Sequence, residues 1–243
     1  MTLHVTRSPG GDGVPVLLVH GFSTSWQLWA DTGWTRALEQ AGRAWIAPDL
    51  PGHGASPKPH EPDAYTSAAL VEALAAVGDG PADVIGYSLG GELALELALA
   101  HPDRVRRLVV GGIGARRPNT AEATAMLYEH AAAGTQPPCG PTAAMWARAT
   151  SAPGADGIAL AACLAGVSGS PPLHDLDRYS GPTLLFAGTE DGIADGIETL
   201  RERLVDAELL WVEGRDHFTT LSAAVAKERA VAFLAGEHAA SVR

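Results

Sequence analysis

Short apolar runs rich in β-branched residues recur along this chain, each followed by a turn and then a longer stretch of helical character. This alternation restricts the fold more than any other feature. The runs cover residues 14–19, 44–47, 83–87, 108–111, 183–187 and 209–212. Unbroken apolar runs suit strands covered on both faces, and strands alternating with helices join through right-handed crossovers into a parallel sheet. Residues 2–7 add an antiparallel edge strand ahead of the turn signal Pro9-Gly10-Gly11-Asp12-Gly13. Helices are expected over 34–40, stopped by Gly42, over 66–77, stopped by Gly78, and over 89–100, ended by His101-Pro102. In the last of these only Glu92 and Glu96, one turn apart, break a nearly complete apolar surface. That pattern predicts a buried helix with one wet edge, packed beside the middle of the sheet.

The rhythm changes between residues 115 and 177. Ala-rich helical stretches at 120–133, 142–150 and 158–166 are separated by Pro-Pro, Gly-Pro and Pro-Gly breakers, and no strand pattern intervenes. The expected organisation is a core formed by 1–114 and 178–243 with a helical cap, 115–177, inserted between two strands. Gly111, Gly112 and Gly114 stand where a hinge into such a cap would lie.

Composition narrows the function classes. A net charge of −11 with 17 scattered Lys and Arg leaves no basic stripe to neutralise phosphates, so nucleic acid is not an expected partner. Cys139 and Cys163 show no CxxC spacing and no neighbouring His pair, so neither a disulfide framework nor a metal site is indicated. The first ten residues lack the apolar region of a signal peptide, and no run reaches the ~20 apolar residues of a membrane span. A cytoplasmic protein without membrane partners, monomeric or homodimeric, is the expectation.

Chemistry enters with Gly86-Tyr87-Ser88-Leu89-Gly90-Gly91, a G-x-S-x-G pattern after an apolar strand and before a helix. The glycines permit a sharp turn that lifts the Ser88 hydroxyl above the sheet edge, at a helix N-terminus that favours developing negative charge. A serine hydroxyl is a weak nucleophile at neutral pH and needs a base and a group to orient that base. His217, in Glu213-Gly214-Arg215-Asp216-His217-Phe218, follows the last expected strand, at the end where open α/β sheets build sites. Asp191, in Gly188-Thr189-Glu190-Asp191-Gly192, follows the strand before it; Glu190, Asp195 and Asp216 compete for the same role. The turn after Val110 carries no carboxylate, so an acid from that strand is excluded. The order Ser, Asp, His along the chain is that of strand-turn-helix hydrolases. His20-Gly21-Phe22 follows the first parallel strand, where the Phe22 amide, with that of Leu89, can face an oxyanion. His20 is read as a local hydrogen-bonding residue that holds this loop.

These segments, with Asp49-Leu50-Pro51-Gly52-His53-Gly54-Ala55-Ser56 and His101-Pro102-Asp103-Arg104-Val105, run in order along nearly the whole chain. Together they resemble the α/β-hydrolase superfamily in its small-cap esterase and C-C hydrolase branch. The resemblance implies a mostly parallel sheet of eight strands flanked by helices, a helical cap over the site, a Ser88-His217-Asp191 triad and no cofactor. It also implies a structural role for His53. Relatives resembling haloalkane dehalogenases and epoxide hydrolases carry an aspartate where this chain has Ser88, which disfavours those chemistries and leaves acyl transfer to water.

Substrate choice is read only from side chains near the motifs. Trp26, Trp29, Tyr87, Met126, Met145, Trp146 and Phe218 are the candidate lining, apolar and aromatic, suited to a small or medium acyl or aryl group. Cleavage of a carboxylic ester is the leading expectation, with lactone or C-C bond hydrolysis by the same triad and perhydrolysis as alternatives. A non-hydrolytic small-ligand receptor on the same scaffold is the alternative from another class.

Overall fold

A computed structural model describes residues 1–115, 121–135, 141–152, 154–169 and 174–237, without the side chains of 121, 141, 142, 144 and 145. Each apolar run forms a strand, and the N-terminal segment supplies one more: β1 (Val5–Arg7), β2 (Asp12–Val19), β3 (Arg43–Pro48), β4 (Ala82–Tyr87), β5 (Val105–Gly111), β6 (Thr183–Gly188) and β7 (Ala207–Val212). They form one sheet in the order β1-β3-β2-β4-β5-β6-β7, with β1 antiparallel to β3 and every other pairing parallel. The expected eighth strand is absent among the described residues. The segment ahead of β2 holds only the three-residue β1, and the later connections are helical, so nothing described is left to extend the sheet.

The helices are α1 (Gln27–Asp31), α2 (Trp34–Gln40), α3 (Ser67–Ala75), α4 (Leu89–Ala100), α5 (Ala121–Ala132), α6 (Pro141–Thr150), α7 (Gly157–Ser168), α8 (Ile197–Arg203) and α9 (Ala224–Leu234). Strand alternation divides the core in two. Val16 and Leu18 of β2 face Trp29, Trp34 and Phe233, from α1, α2 and α9. Leu17 and Val19 join the other face, with Leu70 of α3, Leu93 of α4 and Leu200 of α8. In α4 every residue from Gly90 to Leu99 is buried except the half-buried Glu92 and Glu96, the wet edge that the sequence pattern predicts.

The winding reverses at β2, because β3 lies on one side of it and β4 on the other. At such a switch point the loops after the two strands diverge and leave a crevice at their carboxyl ends. Val19 pairs with Gly86, so the loops carrying His20-Gly21-Phe22 and Ser88 begin side by side. Close packing keeps them there: a Cβ on Gly90 would stand 2.0 Å from the Val19 carbonyl oxygen, and one on Gly86 2.2 Å from that of Gly90. At the opposite end of β4, the fully buried Asp83 carboxylate accepts from Arg43 at 2.5 Å and from Arg106 at 2.6 and 2.8 Å.

Helices α5, α6 and α7 lie between β5 and β6, with no strand among the described residues of that segment. Leu127, Trp146, Leu160 and Ala161 form a small apolar cluster of their own, against which Phe22 packs. Asp156 caps α7 by accepting from the Ala159 amide at 3.0 Å and pairs with His60 at 2.9 Å. No described helix is long and apolar enough to cross a membrane.

Candidate active site

Ser88 sits between β4 and α4 at φ 56° and ψ −126°, a conformation rare for any residue with a side chain. The turn is held by the Ser88 amide donating to the Gly111 carbonyl at 2.9 Å and by the Ser88 carbonyl accepting from Gly91 at 2.8 Å. Such strain persists where the surroundings over-determine it. Leu89 opens α4, so its amide has no acceptor within the helix. A Cβ on Gly21 would lie 3.3 Å from Ser88 Cβ, so glycine lets the Phe22 loop approach the serine.

His217, in the loop after β7, places Nε2 3.0 Å from Ser88 Oγ. Its Nδ1 lies 3.0 and 3.1 Å from the two carboxylate oxygens of Asp191, in the loop after β6. A carboxylate only accepts, so Nδ1 carries the proton and Nε2 offers its lone pair to the serine hydroxyl. The Asp191 side chain is fully buried, and its Oδ1 also accepts from the Ile193 amide at 3.0 Å. The competing carboxylates are elsewhere. Glu190 and Asp195 are exposed, and Asp216 shapes the histidine loop by accepting from the Phe218 and Thr219 amides at 3.0 and 2.8 Å.

Buried histidines support the loop of Gly21 and Phe22. His20 Nδ1 is 2.8 Å from the Gly21 carbonyl and its Nε2 accepts from the Leu50 amide at 2.9 Å, which fixes a neutral tautomer. Burial holds its pKa down at about 4. His53 donates from Nδ1 to the Pro51 carbonyl at 2.8 Å, and burial, with the nearby His20, pulls its pKa down to about 3. The Phe22 ring meets His53 edge-on at 5.6 Å.

The candidate substrate residues scatter. Trp26 lines a cavity of about 490 Å³ beside the Phe22 loop. Trp29 does not: its indole is fully buried among the α1, α2 and α9 side chains, edge-on to Trp34 at 5.7 Å. Tyr87 is buried in the same cluster as Ile85, two residues earlier on β4, and its hydroxyl donates to the His217 carbonyl at 2.5 Å. It therefore supports the histidine instead of lining a pocket. Met126 is half-buried on α5, Trp146 is buried in the three-helix cluster, and the Met145 side chain lies outside the described residues. Phe218 is exposed, with its ring edge-on to His217 at 5.6 Å and the Arg148 guanidinium of α6 over its face at 5.1 Å. The Arg148 contact was not foreseen, because nothing in local sequence links α6 to the loop after β7. Gly111, Gly112 and Gly114, where a hinge into the cap is expected, are closely packed: Cβ atoms there would meet the Phe186 ring at 2.2 Å, the Tyr87 ring at 2.8 Å and the Asp195 carbonyl oxygen at 1.9 Å.

Residues 14–136 match a family described as the alpha/beta hydrolase fold. The chain is 41% identical over 116 residues to a 2-hydroxymuconate semialdehyde hydrolase of Pseudomonas putida, covering 46% of this chain and 41% of that protein. It is also 41% identical over 110 residues to lipase LipV of Mycobacterium tuberculosis, covering 44% and 40% of the two chains. The alignments therefore span about two fifths of the length of these relatives. A thermophilic esterase of Thermogutta terrifontis shares the fold with a TM-score of 0.79 over 98% of this chain and 95% of that one, at 21% identity. With the family match covering half of the chain and Ser88 on a strained turn beside the switch point of the sheet, this protein belongs to the α/β-hydrolase fold family.

Proposed function

We propose that this chain is a serine hydrolase that cleaves a carboxylic ester of a small to medium molecule through an acyl-enzyme. The observation that carries the reading is the succession Ser88 Oγ, His217 Nε2, His217 Nδ1 and Asp191, each step within 3.1 Å. Ser88 Oγ attacks the ester carbonyl while its proton passes to His217 Nε2. The resulting oxyanion is held by the Phe22 and Leu89 amides, donors each worth on the order of 10²- to 10³-fold in rate. Collapse expels the alcohol, which takes the proton from His217; water then attacks the acyl-enzyme by the same steps in reverse roles. Asp191 keeps the imidazole in the productive tautomer and stabilises its cationic form.

The segment 115–177 acts in this reading as a cap, since its apolar cluster packs against Phe22 next to the oxyanion loop. One observation favours a second reading: the relative named a 2-hydroxymuconate semialdehyde hydrolase. Cleavage of a C-C bond beside a ketone would use the same triad. Hydrolysis of p-nitrophenyl butyrate by the wild-type chain and by Ser88→Ala tests the proposal. A loss of about 10⁴-fold or more in kcat/KM is expected, and equal turnover by both would refute it.

A further inference from the structure

The groups that wall the imidazole of His217 are unequally firm. Tyr87 packs against it at 5.2 Å between ring centroids and is itself buried, at 5% exposure. Gly112 stands beside Cε1, so close that a Cβ there would lie 3.0 Å from that atom. Phe218 meets the imidazole edge-on at 5.6 Å, yet it is 67% exposed. A buried ring is fixed by close packing, whereas an exposed side chain changes rotamer within ps to ns unless a specific contact holds it. The Phe218 amide donates to the Asp216 carboxylate at 3.0 Å, but that bond fixes the backbone and leaves the ring free to turn.

The contact that holds the ring comes from the cap. The Arg148 guanidinium of α6 lies over the face of Phe218, 5.1 Å from its centroid. Arg148 is exposed, and among the described residues no carboxylate pairs with it, so the aromatic face is the partner of its charge. A cation over an exposed aromatic ring shifts an equilibrium by about twofold to fivefold.

The place of α6 gives this contact its meaning. Trp146 belongs to the three-helix cluster against which Phe22 packs. Arg148 is two residues further along the helix, a rotation of about 200°, and so projects away from that cluster. Phe22 follows β2 and Phe218 follows β7, while Ser88 follows β4, which lies between them in the sheet. The Trp146 cluster therefore meets the loop on one side of the serine, and Arg148 meets the loop on the other.

We propose that Arg148 is a positioning residue for the general base: by holding Phe218 against the imidazole, it couples the seating of α6 to the alignment of His217 with Ser88. The role rests on the serine-hydrolase reading, in which His217 takes the proton of Ser88. Arg148 itself touches neither the serine nor the histidine in this account and acts through the ring.

Alanine suits an exposed helical position, so Arg148→Ala leaves the fold intact. Its kcat for p-nitrophenyl butyrate is expected to fall about threefold with KM unchanged, and Arg148→Lys, which keeps a cation within reach of the ring, to recover most of the loss. In the Phe218→Leu chain, which offers no aromatic face, Arg148→Ala is expected to have no further effect on kcat. A wild-type kcat in Arg148→Ala would overturn the proposal. So would a loss confined to KM, which marks a substrate contact, or a loss undiminished in the Phe218→Leu background, which bypasses the ring. Exchange of the His217 Nδ1 proton with water, followed by NMR in the free chain, needs no turnover. Faster exchange in Arg148→Ala, restored in Arg148→Lys, supports the coupling even if no ester is cleaved, and equal exchange in the wild type and Arg148→Ala counts against it whatever the activity.

Discussion

The hydroxyl of Tyr87 donates to the backbone carbonyl of His217 at 2.5 Å, which ties the residue before the elbow serine to the loop that carries the imidazole. The two rings lie 5.2 Å apart, so Tyr87 also packs against the face of that imidazole. One side chain thus links two segments 130 residues apart in sequence. Tyr87→Phe keeps the packing and removes the tether. Its kcat/KM for p-nitrophenyl butyrate is expected to fall about fivefold, the scale of one hydrogen bond, with little change in KM. An unchanged kcat would show that packing alone sets the position of His217.

Gly112 is the second support. At φ 67° it tolerates a side chain poorly, and a Cβ there would stand 2.8 Å from the Tyr87 ring and 3.0 Å from His217 Cε1. Gly112→Ala is expected to push the imidazole off the line to Ser88 and to lower kcat by about 10²-fold, since displacements near 1 Å cost that much. Wild-type kinetics in this variant would mean that the loop after β5 does not constrain the histidine.

The acid assignment separates Asp191 from its neighbours. Asp191→Asn keeps an amide oxygen for the Ile193 N–H and turns an NH2 donor toward His217 Nδ1, which favours the wrong tautomer, and a fall in kcat of about 10⁴-fold is expected. Glu190→Gln, on the exposed side of the same turn, is expected to stay within about twofold. Comparable losses in both variants would reassign the role.

Stability should depend on pH through two histidines that take no direct part in the chemistry. His20 and His53 have folded-state values of about 4 and about 3, both depressed by burial from the ordinary 6.5. The native chain keeps both rings neutral, while the unfolded chain protonates them as pH falls through 6.5. Their contribution is therefore complete above that value and is lost progressively toward pH 4. The expected slope is roughly 1.4 kcal/mol per pH unit for each proton. Urea unfolding at pH 7.5, 6 and 5 checks this, and a midpoint constant across that range would contradict it.

Most of the fold could be read from sequence because its strands are covered on both faces. Apolar runs such as 14–19 and 183–187 carry their own signature, and the glycines around Ser88 mark the turn between strand and helix. The five-residue α1 was too short to show a helical period, and Trp29 was placed beside the site by proximity in sequence although its indole faces the core. Tyr87 was misplaced for a related reason. Counting two residues back to Ile85 assigns it to the same sheet face, but adjacency to Ser88 drew it toward the substrate. The Arg148 contact with Phe218 depends on segments that meet only after folding, and no local pattern announces it.

The acyl-enzyme pathway requires that Ser88 itself become covalently bonded. Intact-protein mass spectrometry after exposure to diethyl p-nitrophenyl phosphate, followed by peptide mapping, reads this directly. The expected result is one diethylphosphoryl group per chain, attached to the peptide containing Ser88 and lost in Ser88→Ala. An unmodified wild-type chain, or an adduct on a different residue, would contradict it.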